Sequence, residues 1–249
     1  MRYDHAMKRF FDSATAVFIW TTIGVLTVFT FLAIAVSRCF DWNDRFTYRL
    51  GNLWGKLIVK INPWWKIKIL GTHHIKNNKG YIIVANHMSL ADIVCLFCIG
   101  KHFKWVAKAS LFKIPFFGWS MSLLNYIPLS RGKHSSIRDS FNEAIEWLNK
   151  DVSVLIFPEG TRSKTGNLSD FKNGAFKLAL LTKKPIVPVV ITGTQAVLTK
   201  GRATMDTKAS GTLKVLEPIE VTQYSESDFD ELKDKVWKLM SQELNRSKN

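Results

Sequence analysis

The segment Asn86-His87-Met88-Ser89-Leu90-Ala91-Asp92 places a base and a carboxylate five residues apart. It follows YIIVAN (81–86), a short apolar run that reads as a buried strand, and leads into an apolar helix ending near Ile99. A turn at the strand end would present the imidazole of His87, and the first helical turn would return the Asp92 carboxylate to it. The carboxylate then accepts from one ring N–H, fixes the tautomer and stabilises the imidazolium, while the other nitrogen is free to take a proton. The same residues fit a plainer reading. Ser89 can be an N-cap with Asp92 three residues on, Asp standing where a capping box has Glu or Gln, and His87 a loop histidine.

Two further strand ends carry charge. Phe157-Pro158-Glu159-Gly160-Thr161-Arg162-Ser163 follows the apolar run VSVLIF. Gly160 permits positive φ or close approach, Arg162 offers a planar fork for phosphate, and Glu159 can accept from a hydroxyl or hold an arginine. Taken alone, the stretch is also an ordinary polar turn with a local ion pair. Tyr126-Ile127-Pro128-Leu129-Ser130-Arg131 repeats the pattern of strand then arginine, and Lys108 follows the strand candidate 103–107. Ligands of open α/β sheets gather at the C-terminal ends of strands, so these groups converge if the strands share a sheet. Metal chemistry has little support: Cys95 and Cys98 form a C-x-x-C inside an apolar helix with no second pair, and His73-His74 lies in a polar turn. Ser89 is a poor nucleophile candidate because G-x-S-x-G is absent.

The elements that must position these residues can be read from periodicity. Strands are expected at 65–71, 81–86, 103–107, 125–129, 152–157, 185–191 and 212–219, with the prolines limiting 185–191 to an edge or end position. Helices are expected at 135–149 and 171–182 and from about Ser227, with helical turns over 109–124 broken at Pro115 and Gly118. Alternating strands and helices imply an α/β fold with a mixed central sheet flanked by helices. The chain has 249 residues, 47 % hydrophobic and 22 % charged, enough for a core and unlike a disordered chain. Three cysteines exclude a disulfide framework.

The net charge of +15 is uneven: 19 basic and 5 acidic residues precede or include Arg138, against 16 and 15 after it. The first half therefore favours an anionic partner: phospholipid, phosphorylated substrate or nucleic acid. Residues 13–37 carry no charge, a run long enough to cross a bilayer core. A second helix, 43–61, lines up Phe46, Leu50, Leu53, Trp54, Leu57, Ile58 and Ile61 at helical spacing beside Arg45, Arg49, Lys56 and Lys60. That pattern fits a bilayer interface or packing on a neighbouring domain. Trp20, Trp42, Trp54, Trp64 and Trp65 would suit the interface. A membrane-anchoring helical segment over 1–62 and an α/β domain over 63–249 follow, divided near Asn62-Pro63.

Together the blocks resemble the glycerolipid acyltransferase family, specifically 1-acyl-glycerol-3-phosphate acyltransferases. The family's H-x-x-x-x-D motif is matched by NHMSLAD, its arginine-ending block by YIPLSR, its glutamate–glycine block by FPEGTRS and its proline block by IVPVVITG with Pro188; the ordered match spans about 80–193. The resemblance implies acyl transfer from acyl-CoA or acyl-carrier protein to the sn-2 hydroxyl of lysophosphatidic acid, forming phosphatidic acid. His87 and Asp92 would be catalytic. Lys108, Arg131, Glu159, Gly160, Thr161 and Arg162 would bind substrate, the cations holding the phosphate and Glu159 positioning the glycerol backbone or those cations. It implies no metal or other cofactor, a phospholipid membrane but no nucleic acid as partner, and a place on the cytoplasmic face of the cell membrane. Alternatives are another acceptor, such as glycerol 3-phosphate or a different lysophospholipid, a membrane hydrolase activating water, or a non-catalytic basic module. Residues 111–124 are expected to line an acyl tunnel.

Overall fold

The computed structural model describes residues 2–40, 43–61, 65–163, 165–197 and 209–247. Trp42, Trp64 and the Asn62-Pro63 boundary lie outside them. In chain order the elements are α1 Arg2–Cys39, α2 Asp44–Ile61, β1 Trp65–Leu70, β2 Ile82–Ala85, α3 Ala91–Leu96, β3 Phe103–Lys108, α4 Phe117–Leu123, β4 Ile127–Leu129, α5 His134–Asn149, β5 Ser153–Ile156, α6 Gly174–Thr182, β6 Ile186–Thr192, α7 Thr194–Val197, β7 Ala209–Val215 and α8 Phe229–Arg246.

The seven strands form one mixed sheet in the order β1-β7-β6-β2-β5-β3-β4. From β6 to β4 the five strands are parallel, so their C-terminal ends share one edge; β7 runs antiparallel to β6 and parallel to β1. The period-2 alternation within the strands sends residues to opposite faces. Ile83, Ala85, Trp105 and Val189 join the core under α2, α3 and α4, whereas Ile82, Val84, Val154 and Val190 join the one under α5, α6 and α8. Leu148, Phe176, Val236 and Met240 are fully buried in the second core, and side chains of this size each contribute about 2 kcal/mol by leaving water. Exposed ion pairs such as Lys79–Glu220 contribute at most about 1 kcal/mol, so burial, not surface charge, holds the layers together.

Two expectations are corrected. The strand with the prolines is not an edge: β6 sits between β7 and β2. Pro188 is tolerated because it pairs with Val84 on one side, while on the other the neighbouring chain has already left β7 and only Leu216 N–H donates to the Pro188 carbonyl, at 2.9 Å. Gly118 is no break but lies inside α4, where a Cβ would stand 2.4 Å from the Leu111 carbonyl oxygen. The apolar stripe of α2 is only partly its buried face. The helix buries Thr47, Tyr48, Gly51, Asn52, Gly55 and Ile58, and leaves Leu53 and Leu57 exposed. Of the described tryptophans expected at an interface, Trp20 is exposed, Trp65 is buried, and Trp54 is half-buried with its Nε1 donating to Thr27 Oγ1 at 3.0 Å.

Within α1, residues Ala14–Cys39 have a mean hydropathy of 2.2 over their most apolar window and leave nearly all of it unburied, long and apolar enough to cross a membrane by length and composition. Val17, Phe18, Val25, Phe29, Leu32 and Val36 are exposed along it. The C-terminal part of α1 packs on α2 and α4. There Arg38 donates from Nε to the Leu123 carbonyl (2.7 Å) and pairs with Asp44 (3.1 Å).

Candidate active site

Strand β2 is wholly buried and stops where Asn86 replaces backbone pairing with its side chain. Its Nδ2 donates to the Ile191 carbonyl (2.8 Å) and its Oδ1 accepts the Ile191 N–H (2.7 Å). The side chain extends the β2–β6 ladder by one step while the main chain turns away, and this turn brings His87 out at the sheet edge. Three contacts fix that residue. Its N–H donates to Glu159 Oε1 (2.9 Å), its carbonyl accepts from Ser163 N–H (2.8 Å), and its ring stacks on Phe157 at 4.2 Å between centroids and 21° between planes. The loops after β2 and β5 are thereby joined into one wall.

His87 Nδ1 lies 2.8 Å from Asp92 Oδ2. Asp92 is fully buried; Oδ2 also accepts the N–H groups of Met88 (2.6 Å) and Ser89 (2.8 Å), and Oδ1 accepts from the Thr194 hydroxyl (2.5 Å). The N-cap of α3 is Leu90, one residue beyond Ser89, and no side-chain cap bond is made there. The bond from Ser89 N–H is what remains of the capping-box pattern, and the same oxygen lies against the imidazole. Every other described donor to Asp92 is a backbone amide or a hydroxyl, and a carboxylate in this position accepts from Nδ1–H of the ring. No described residue hydrogen-bonds to Nε2, whose lone pair is available to a proton. The side chain of His87 retains 14 % of its accessible surface.

The remaining expected residues fall along the same edge. Lys108 ends β3 in register with Leu129 of β4, and Arg131 stands two residues beyond Leu129. Gly160 has φ +71°, a left-handed conformation that disfavours side chains. A Cβ there would lie 3.9 Å from Arg131 Cζ and 4.0 Å from Lys172 Cγ, so the Arg131 guanidinium reaches across to the loop after β5. Lys108, Arg131 and Thr161 are exposed and Arg162 is half-buried. Among the described residues no hydrogen bond or ion pair engages the side chain of Lys108, Arg131 or Arg162. Glu159 differs from its expected place: it is 4 % exposed, and Oε1 and Oε2 accept the amides of His87 and Ser169 (2.9 Å each). Burial pushes its carboxyl above the usual value, opposed by those two amides. It clasps the two loops and does not reach toward the cations.

Sequence reasoning missed Thr194, the bracing role of Asn86, the stacking of Phe157 and the cation Lys172. Thr194 belongs to ITGTQ, a further strand end carrying a hydroxyl, and that was its one available signal. A narrow apolar cavity of about 30 Å³ runs between α1, α2, α4 and β3. From 111–124 it takes Phe117, Ser120, Met121 and Leu124, together with Ile93, beside Asp92, and Trp105, which packs edge-on to Phe157. Cys95 is buried and Cys98 half-buried, both unoxidised, and the described residues contain no cluster of metal-ligating side chains.

An Asp-backed imidazole at the edge of a parallel sheet, with uncommitted cations along the same edge, can take a proton from a nucleophile and hold an anionic group near it. Residues 66–192 match the Acyltransferase family model, and the chain belongs to that family. More particularly, it is 34 % identical over 191 residues to the chloroplastic 1-acyl-sn-glycerol-3-phosphate acyltransferase of Arabidopsis thaliana, covering 74 % of this chain and 53 % of that one. It is 34 % identical over 186 residues to the 1-acyl-sn-glycerol-3-phosphate acyltransferase of Saccharomyces cerevisiae, covering 72 % and 60 %. The chain thus spans about half the length of the plant chloroplast relatives it matches. The crystal structure of the 1-acyl-sn-glycerophosphate acyltransferase PlsC from Thermotoga maritima superposes with a TM-score of 0.83 at 27 % identity, covering 96 % of this chain and 97 % of that one.

Proposed function

We propose that this protein transfers an acyl group from an acyl thioester, carried by coenzyme A or acyl-carrier protein, to the sn-2 hydroxyl of 1-acyl-glycerol 3-phosphate, forming phosphatidic acid. The observation that carries this reading is His87, held through Nδ1 by a fully buried Asp92 with Nε2 unengaged, on the same sheet edge as Lys108, Arg131 and Arg162. Nε2 removes the proton of the acceptor hydroxyl as its oxygen attacks the thioester carbonyl. Asp92 stabilises the imidazolium so formed. The tetrahedral oxyanion collapses, the C–S bond breaks, and His87 returns the proton to the departing thiolate. Arg131, Arg162 and Lys108 hold the acceptor phosphate, with Gly160 and Thr161 letting it approach the backbone after β5. Glu159 acts at one remove by fixing the His87 amide. The narrow cavity beside Ile93 and Trp105 widens to take an acyl chain against its apolar lining.

Residues 1–62 serve as the membrane anchor and 63–249 as the catalytic domain, with the domain on the cytoplasmic face. The exposed apolar side chains of α1 together with Leu53 and Leu57 of α2 support the anchor. The test is release of free thiol by purified protein with and without lysophosphatidic acid. Thiol release should require the acceptor and yield phosphatidic acid; equal release without acceptor would mark a hydrolase and overturn the reading.

A further inference from the structure

Residues 114–123 present two faces. Phe117, Ser120 and Met121 turn inward and line the apolar cavity. Ile114, Phe116 and Trp119 turn outward and are 44 %, 36 % and 45 % exposed, although all three are large apolar residues. The outward group is not isolated. The ring of Phe31, on α1, lies 5.6 Å from that of Phe116 and 5.7 Å from that of Trp119, and the latter two rings are 5.2 Å apart. The exposed apolar surface of α1, which includes Phe29, Leu32 and Val36, therefore continues without interruption onto the α/β domain.

The backbone is held in an unusual shape to achieve this. Phe116 has φ +60° and ψ −54°, and Phe117 N–H donates to the Pro115 carbonyl at 2.6 Å. That is a three-residue γ-turn of the strained kind, carried by a bulky side chain. Strain of this sort persists where the surrounding structure over-determines it, and it clusters at functional positions. Here it thrusts Phe116 away from the core that its neighbour Phe117 joins. Lys108 and Lys113 flank the segment just before Ile114 and are exposed, which places ammonium groups where an apolar tip would enter a layer of anionic headgroups.

We propose that Ile114, Phe116 and Trp119 form a lipid-inserting tip, so that the α/β domain itself dips into the acyl region of the leaflet that holds α1. The proposal rests on the reading that α1 enters the bilayer. Phe31 lies seven residues before Arg38, so at 1.5 Å per residue the tip meets α1 roughly 10 Å from that arginine, well inside the depth of one leaflet. The segment is then the rim between lipid and cavity, its outer face wet by acyl chains and its inner face lining the space that receives one.

The experiment uses the full chain in vesicles of phosphatidylcholine and phosphatidylglycerol, with single environment-sensitive labels at Trp119→Cys, Val25→Cys and Leu239→Cys in a background where Cys39 and Cys98 are Ser. Quenching by lipids doxyl-labelled at acyl carbon 5 should be strong at 25 and 119 and absent at 239, an exposed site on α8. Quenching at 25 with none at 119 overturns the tip and leaves the anchor standing. Loss at both overturns the anchor reading and the tip with it. Separately, the double variant Phe116→Ser, Trp119→Ser should lose roughly tenfold in vesicle partitioning while keeping wild-type turnover of a short-chain, water-soluble acceptor. Unchanged partitioning would overturn the proposal.

Discussion

The described residues contain two histidine–aspartate pairs, and they have opposite surroundings. His87 Nδ1 is 2.8 Å from Asp92 Oδ2; His102 Nε2 is 3.1 Å from Asp44 Oδ2, close but outside hydrogen-bond geometry. What differs is the company each carboxylate keeps. Asp92 takes its other bonds from backbone amides and the Thr194 hydroxyl, all neutral, so the imidazole is the only partner able to carry a proton to it. Asp44 is gripped by Lys104 Nζ at 2.7 and 2.8 Å and by Arg38 at 3.1 Å. Burial pushes Asp44 upward, but His102 and Lys104 beside it bring its carboxyl well below the usual range. Burial likewise lowers Lys104, to about 8 against the pull of Asp44, and lowers His102. The Lys104–Asp44 pair is therefore ionised at neutral pH, and His102 is left neutral. The proposed base is the histidine whose aspartate has no cation beside it among the described residues, whereas the aspartate beside His102 is already paired with Lys104 and Arg38.

The contrast is broken most sharply at the two imidazoles. His87→Ala should reduce acyl transfer by about 10³-fold, within the range a positioned base supplies, while His102→Ala should change kcat less than about threefold; thiol release measured on both decides it. A similar loss in the His102 variant would void the distinction.

The second pair is instead a joint. Lys104 is fully buried, also donates to the Leu124 carbonyl (2.7 Å), and lies 4.1 Å over the Trp147 ring. It ties the start of α2 and the end of α1 to β3. Asp44→Asn should destabilise the fold by about 3 kcal/mol, because it strands a buried ammonium, with little effect on kcat. The double variant Asp44→Asn, Lys104→Met should recover much of that loss in urea unfolding. The pH dependence has a definite sign. A carboxyl held below its unfolded value adds stability that is complete above that value, 3.8, and is lost as pH falls toward its lower folded value. The gap in unfolding free energy between wild type and Asp44→Asn should therefore be constant from pH 7 to about 5 and shrink below pH 4. A gap that widened in acid would contradict the ionised joint.

These two pairs also show what a sequence can disclose. His87 and Asp92 are five residues apart across a strand-to-helix turn, so the spacing offered the contact as one of two readings and the turn geometry decided it. Asp44 and Lys104 are 60 residues apart and meet only where the first residue of α2 comes against β3 in the tertiary fold, which no local pattern encodes. Buried strands were legible as apolar runs, and their ends gave Lys108, Arg131 and the loop 159–162 in place. The position of β6 was not, because whether a proline interrupts a ladder depends on where the neighbouring strand stops. The apolar stripe of α2 left two readings open for a related reason: periodicity shows that an apolar face exists, but not whether protein or lipid covers it. Glu159 was assigned outward from its motif, and only the tertiary meeting of two loops turned it inward.

The smallest expected effect tests the neutral company of Asp92. Thr194 donates to Oδ1 from a strand end on the far side of β2 from the cations, so it can influence the reaction only through the carboxylate. Thr194→Val keeps shape and burial but removes the hydroxyl, leaving Oδ1 short of a donor in a fully buried site. A lost hydrogen bond to a charged group costs about 1.5–3 kcal/mol, and the part felt at the imidazolium should lower kcat by roughly tenfold. KM for the acceptor should stay unchanged, since Thr194 is remote from Lys108, Arg131 and Arg162. Thr194→Ser restores the hydroxyl and should restore kcat. If Val and Ser variants behave alike, the hydroxyl does not tune the carboxylate, and the difference between the two histidines must lie in the cations around Asp44 alone.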